Sequence, residues 1–489
     1  MTEIPATQIP ATQIPATETR NTGTTHGLST STVVRKQLRT LPMVAILYFS
    51  VSGGPYGLEA SISASGPGMA LLMLLIVPVV FAIPCALMVA ELGSAMPVEG
   101  GYYYWVKAAL GQGAAVVQGI WNWILTFLDT ALYPIVFADY LSSWIPGIER
   151  GKHVGLSVLG GTFSFDAHWL VTIAFMIPLA YLNIRGSRLV GEMSTMLMIL
   201  VLAPFVILSV YGLIHFATSD ATLASSFTMP NESVMSSFGL GLGIIIWNYI
   251  GWESPSTILG EVDKPHKTYV KALWISVPLI TISYLLPMIA ALGSGLHADD
   301  PSAWADGDFA DVGALLAGDW LKVAIIVGAV IAQIGLFSSL LMSGSRVPRV
   351  LAGEGYLPRW LAHDHRRYGT PARAIVVSCL VFALFCAMDF SALVNADVMV
   401  NLAALLMQFV ALIVLRRRRP DMARPYRVPG GNWGLALLVI GPAICTAWLL
   451  SSSFTEQPEA FWIGIGLLAF GVVSYPLLRR RYSGVPTVS

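Results

Sequence analysis

The chain has 489 residues, of which 55% are hydrophobic and 11% charged, and its formal net charge is zero. That charged fraction is under half the roughly 25% usual for soluble domains, which excludes an ordinary soluble globular protein; the balanced charge also removes any bulk attraction to nucleic acid. Runs such as Met69–Ala90 and Met193–Leu213 supply the roughly 20 residues that cross a bilayer core, so the expected class is an all-α polytopic membrane protein with the lipid bilayer as its solvent.

Residues 1–40 are rich in Thr and Pro, and Ile4-Pro5-Ala6-Thr7-Gln8 recurs as Ile9–Gln13 and nearly again as Ile14–Glu18. Such a stretch cannot bury a core and reads as a disordered tail. No apolar signal-peptide core precedes Leu41, so the first membrane helix is expected to act as the targeting signal. Twelve apolar segments follow, at about 41–65, 67–96, 112–145, 168–184, 190–216, 234–260, 268–293, 319–346, 374–388, 391–415, 434–452 and 461–478, with a short tail at 481–489. The third is long enough to cross at a steep tilt. With an inside N-terminus, all but Arg150, Lys152 and Lys322 of the 28 Lys and Arg residues fall on the cytoplasmic side. The positive-inside rule then puts both termini in the cytoplasm of a multi-pass protein of the plasma (inner) membrane.

Two segments are interrupted. One reads Ser52-Gly53-Gly54-Pro55-Tyr56-Gly57-Leu58-Glu59, the other Trp247-Asn248-Tyr249-Ile250-Gly251-Trp252-Glu253-Ser254-Pro255. A break in lipid frees backbone N–H and C=O groups that cost several kcal/mol each unless something binds them. These breaks lie near the starts of two successive groups of about five spans, and paired breaks in corresponding positions point to a secondary transporter's binding site.

Ionisable residues at membrane depth are costly and mark ion or substrate paths. Four stand out, Glu59, Glu91, Asp129 and Glu253, with no Lys or Arg clearly at the same depth. A proton, a metal cation or a cationic substrate could neutralise them, and Asp129, Glu253 and Glu59 are the proton-coupling candidates. Asp129 lies mid-segment with Tyr133 one turn on along the same face; an alternative is an Asp bonded to backbone freed by Pro134. Glu59 would open the outer half-helix, where the helix dipole favours an anion, so a capping role competes with a functional one. Glu91, close to Met96-Pro97, reads as a tie for a cytoplasmic loop. Around the breaks cluster Tyr56, Tyr133, Trp247, Tyr249 and Trp252, whose ring faces attract ammonium groups or serve as packing and gates, Trp247 foremost. Gly53 and Gly54 let backbone approach a ligand carboxylate, but Pro55 removes one donor, and the acids and aromatics lean toward an amine-bearing substrate.

Other features carry less. Ser338 and Ser339 are weak sodium candidates, since small residues more commonly let helices approach. The outer-loop acids Asp299, Asp300, Asp306, Asp308 and Asp311 either concentrate cations or are simply solvated. Cys85, Cys379, Cys386 and Cys445 lack metal or disulfide spacing and read as packing residues. No HxxxH, HExxH or GxxxxGK[ST] pattern occurs, so no enzyme, cofactor, metal centre or P-loop engine is expected.

The chain resembles the amino acid–polyamine–organocation superfamily, and within it the branch of polyamine/proton symporters and L-type amino acid carriers. The resemblance rests on Val51–Glu59, on Ala90-Glu91-Leu92-Gly93 with Gly100-Gly101-Tyr102, on Asp129–Pro134, on Trp247–Glu253 with Gly260–Pro265, and on Arg346–Arg349 through Gly355–Pro358 to Gly369–Ala372. It implies the leucine-transporter fold: inverted five-helix repeats at 41–216 and 234–415 plus two extra helices at 434–478. Substrate would bind between the broken first and sixth helices, with Ser52, Gly53, Gly54 and Tyr56 at the first break, Trp247 as aromatic gate, and Glu253 and Asp129 as the acids of the sixth and third helices. Tyr133, Glu59, Tyr249, Gly251 and Trp252 complete the expected substrate site. Some proton-coupled relatives carry a Lys in the fifth helix, but Met193–Leu213 contains none, so a coupling proton would ride on a carboxylate. The expected function is proton-coupled uptake of an amine-bearing substrate, an amino acid or a polyamine, by alternating access; the alternatives are an amino acid exchanger or neutral amino acid carrier, then a channel.

Overall fold

The computed structural model describes residues 38–482 apart from 143–144, 146, 149–155, 159–160, 164, 219–225, 231, 388–389 and 457. Both expected tails fall almost wholly outside these residues.

Long apolar stretches with few charges satisfy their backbone internally as helices. In chain order these are α1 (Thr40–Val51), α2 (Glu59–Ser65), α3 (Pro67–Val77), α4 (Ile83–Ala95), α5 (Tyr102–Leu110), α6 (Gln112–Ser142), α7 (Ala167–Arg185), α8 (Ser187–Thr218), α9 (Val234–Trp247), α10 (Pro265–Leu292), α11 (Asp308–Ala317), α12 (Asp319–Gly344), α13 (Arg346–Gly353), α14 (Ala372–Phe385), α15 (Phe390–Arg418), α16 (Gly431–Glu456) and α17 (Pro458–Tyr482). Among the described residues nine helical stretches are long and apolar enough to cross a membrane, and Thr40–Val51, Val234–Trp247 and Ala372–Phe385 are shorter apolar helices. Each of the twelve expected segments therefore holds an apolar helix.

Three local features depart from that reading. The second half of the sixth segment is a 3-10 helix, Ser254–Glu261, because Pro255 stands at its start and Gly251 just before it has a φ of 99°. A π-helical turn at Pro78–Ala82 joins α3 to α4, where Pro78 lacks the N–H that a regular α-turn uses. Between α6 and α7, Leu156–Val158 (β1) pairs antiparallel with Gly161–Phe163 (β2), a small hairpin that hydropathy does not foreshadow.

The bundle is built around α12, which packs against α6, α8 and α1, while α2 lies against α9. Glycines set the closest approaches: a Cβ on Gly344 would meet Thr126 of α6, and one on Gly335 would meet Phe49 of α1. Apolar side chains also face outward, as with Ile199, Val206, Leu437 and Phe470, the surface a bilayer covers.

One face gathers arginines and their partners. Glu91, fully buried, accepts from Arg416 Nε at 2.8 Å, lies 3.3 Å from Arg424 Nε and takes the Val428 N–H at 2.8 Å. Arg346 binds Glu261 at 2.8 Å, Arg349 bridges Glu99 and Asp364, and Lys107 meets Glu354. The expectation that no cation reaches the four intramembrane acids is thus corrected for Glu91: its partners come from the α15 end and the following loop, far along the chain. Its role as a loop tie is what the structure shows.

Candidate functional site

At the first break α1 stops at Val51. The Ser52 N–H still donates to the Tyr48 carbonyl at 2.6 Å, and the Ser52 hydroxyl accepts from the Gly54 N–H at 3.1 Å, so a side chain satisfies backbone freed by the break. Gly54 has a φ of 108°, a conformation a side chain would strain. Tyr56 donates its hydroxyl to the Ile325 carbonyl of α12 at 2.9 Å.

The second break is held from α10. The Tyr284 hydroxyl donates to the Asn248 carbonyl at 3.0 Å and the Tyr269 hydroxyl to the Trp252 carbonyl at 3.3 Å. The Trp252 indole donates to the Tyr249 carbonyl at 2.8 Å, and the Thr257 hydroxyl reaches the Ser343 carbonyl of α12 at 2.9 Å. The two breaks touch: a Cβ on Gly251 would run into the Ser50 carbonyl oxygen.

Between them lies a cavity of about 420 Å³. Of the expected site residues, Gly53, Gly54, Tyr56, Glu59, Asp129, Tyr133, Trp247, Gly251 and Glu253 line it. Tyr249 and Trp252 do not; both are buried in the wall behind, where the Trp252 indole serves the Tyr249 carbonyl of the break. Ser52 is likewise buried as the backbone cap just described, and Ser338 and Ser339 are buried in α12 outside the lining.

Asp129 accepts from the Tyr133 hydroxyl at 2.7 Å, the one-turn pairing read from the sequence, and this replaces the alternative of a bond to backbone freed by Pro134. Glu59 opens α2, with one carboxylate oxygen accepting from the Gly307 and Phe309 N–H groups at 3.3 and 3.4 Å. These bonds cap the start of α11, while in α2 the carboxylate sits in the first turn, where the helix dipole favours an anion. Its second oxygen has no hydrogen-bond partner among the described residues. Asp306, exposed in the loop before α11, also lines the cavity.

Sequence reasoning missed Asp397. It stands about two turns into α15, is 1% exposed, and lines the same cavity with an unpartnered Oδ1. Asn122, Asn248, Gln333 and Asn401 also add polar groups to the wall. Polar residues inside apolar runs are a readable signal, but Asp397 lies near a segment start, where a charge passes for a membrane-edge residue. Among the described residues, five carboxylates thus line one cavity whose lining holds no Lys, Arg or His.

A helical membrane bundle enclosing a polar cavity between two broken helices defines a membrane transporter. Residues 43–470 match the family described as amino acid permease. The chain is 35% identical to a polyamine transporter of Oryza sativa subsp. japonica, over 90% of this chain and 78% of that protein. It is 31% identical to a polyamine transporter of Arabidopsis thaliana over 91% and 86%, and 27% identical to a branched-chain amino acid permease of Bacillus subtilis (strain 168) over 86% and 87%. The chain belongs to the amino acid permease family of the amino acid–polyamine–organocation superfamily and is a transporter, not an enzyme.

Proposed function

We propose that the protein is a secondary transporter that takes up polyamines or other amine-bearing substrates by alternating access, coupled to protons. One observation carries this reading: the cavity presents Asp129, Glu253, Asp397, Glu59 and Asp306 with no cationic side chain among its lining residues. An ammonium about 4 Å from a carboxylate gains about 4 kcal/mol at an effective dielectric near 20, and more as water leaves. Two of the relatives are named polyamine transporters, which supports the same substrate class.

In this reading the substrate amine meets Asp129 and Glu253, from α6 and the second break, against the faces of Trp247 and Tyr133. The Tyr133 hydroxyl fixes one Asp129 oxygen and leaves the carboxylate aimed at the ligand. The positive-inside rule puts the arginine-rich face in the cytoplasm, so the rim at Asp306 faces outward. Opening to the cytoplasm then requires parting the pairs Arg346–Glu261 and Arg349–Glu99. The segments 41–216 and 234–415 act as the two repeats, each opening with a broken helix. With no Lys or Arg in the lining, charge left on Asp129, Glu253 or Glu59 after substrate release is neutralised by protons.

Uptake by the purified protein in proteoliposomes tests the reading. Spermidine and putrescine are expected to enter and to compete with each other, faster with an acidic exterior and slower with a protonophore. Entry of leucine with indifference to both amines would mark a neutral amino acid carrier instead, and uptake insensitive to pH gradient and protonophore would remove the proton.

A further inference from the structure

We propose that Asp397 recognises a second ammonium group of the substrate, so that the cavity takes linear diamines and polyamines in preference to monoamines of the same length. This rests on the amine reading above. Asp397 enters the cavity from α15, which packs directly on α6. It is buried, and its Oδ1 has no hydrogen-bond partner among the described residues. A buried acceptor left unmade is costly, the more so for a charged group, and a scaffold carboxylate in this protein is treated otherwise: Glu91, equally buried, is saturated by two arginines and a backbone N–H. The residue that carries this unmet oxygen lines the space where a ligand would sit.

Asp397 lies within electrostatic reach of Asp129 and Glu253, and three carboxylates from three separate elements line the one cavity. The Tyr133 hydroxyl serves Asp129. Asn401, one turn beyond Asp397 on α15, lines the cavity too and offers an amide oxygen to an N–H donor. In this proposal one ammonium is shared by Asp129 and Glu253, and Asp397 is the acid left for another. A second nitrogen on the same chain, a few methylenes away, completes the set, while the apolar lining at Leu132, Leu336 and Val398 suits the methylenes between.

The probes are 1,4-diaminobutane and 1-aminobutane, each competing against labelled spermidine in proteoliposomes. Wild-type protein is expected to prefer the diamine by tenfold or more, in line with the strength of charge-assisted hydrogen bonds. Asp397→Asn should weaken the diamine by about tenfold and leave the monoamine within about twofold, while Asp397→Glu keeps the preference. A diamine preference that survives Asp397→Asn in folded protein overturns the proposal. So does a wild-type protein that binds both probes equally, a result needing no variant. If neither amine nor spermidine is transported while an amino acid is, the failure lies in the amine reading itself.

Discussion

Acids on the arginine-rich face and acids in the cavity share one chemistry and keep different company. Glu91, Glu261, Glu99 and Asp364 each meet a guanidinium, and those pairs bind the loop before α5, the end of the 3-10 helix, α13 and the α15 terminus into a closed floor. Asp129, Glu253, Asp397 and Glu59 line a space that holds no cationic side chain among the described residues. Buried charges are normally paired; here pairing marks the sites that hold the structure together, and its lack marks the acids of the proposed substrate site. The two sets should therefore respond in opposite ways to the same substitution, an acid replaced by its neutral counterpart.

The largest effect is expected at the floor. Glu91→Gln leaves Arg416 and Arg424 without their counter-charge and should cost about 3–5 kcal/mol, the usual loss when one partner of a buried pair is removed, seen as a lower unfolding temperature in detergent. Asp129→Asn should do the reverse: thermal stability held or raised, amine uptake lowered roughly 10- to 100-fold, as for the loss of a charged hydrogen bond of about 1.5–3 kcal/mol. A destabilised Asp129→Asn protein with wild-type accumulation would make Asp129 structural and erase the contrast. Next comes Arg349→Gln. Its pairs are 23–31% exposed, so it should loosen the floor by only about 1 kcal/mol, read as faster labelling, from the arginine-rich side, of a cysteine placed at Ser343. The smallest is Trp247→Leu, which keeps apolar bulk and removes the ring face; KM for amines should rise about threefold, within the 0.5–2 kcal/mol of a cation–π contact, with little change for an uncharged substrate.

Much of this was legible in the sequence, for a reason of scale. Spans are averaged over about 20 residues, breaks are announced by Gly and Pro, and the Asp129–Tyr133 pair needs only one helical turn, so each is local. Glu91 and Arg416 stand 325 positions apart, and no local pattern joins them. Asp397 was unreadable as a cavity residue until α15 was seen packed on α6. Trp252 and Tyr249 erred the other way: they sit in the break by sequence, but both are buried outside the cavity lining, and the Trp252 indole is taken by the Tyr249 carbonyl, since an unwound helix in lipid needs donors for its own carbonyls before it can offer anything to a ligand. The 3-10 helix after Glu253 followed from Pro255 only once the backbone at Gly251 was known.

The contact between Gly251 and the Ser50 carbonyl has a mechanical consequence. Two interrupted helices that meet with no atom to spare share a fulcrum. Packed protein transmits displacement instead of absorbing it, so in the proposed cycle a tilt of α1 would be passed to the second break, and the gaps in both helices would open and shut in step. Glycine there is the absence of a spacer, and in that cycle the absence would keep the two breaks in gear.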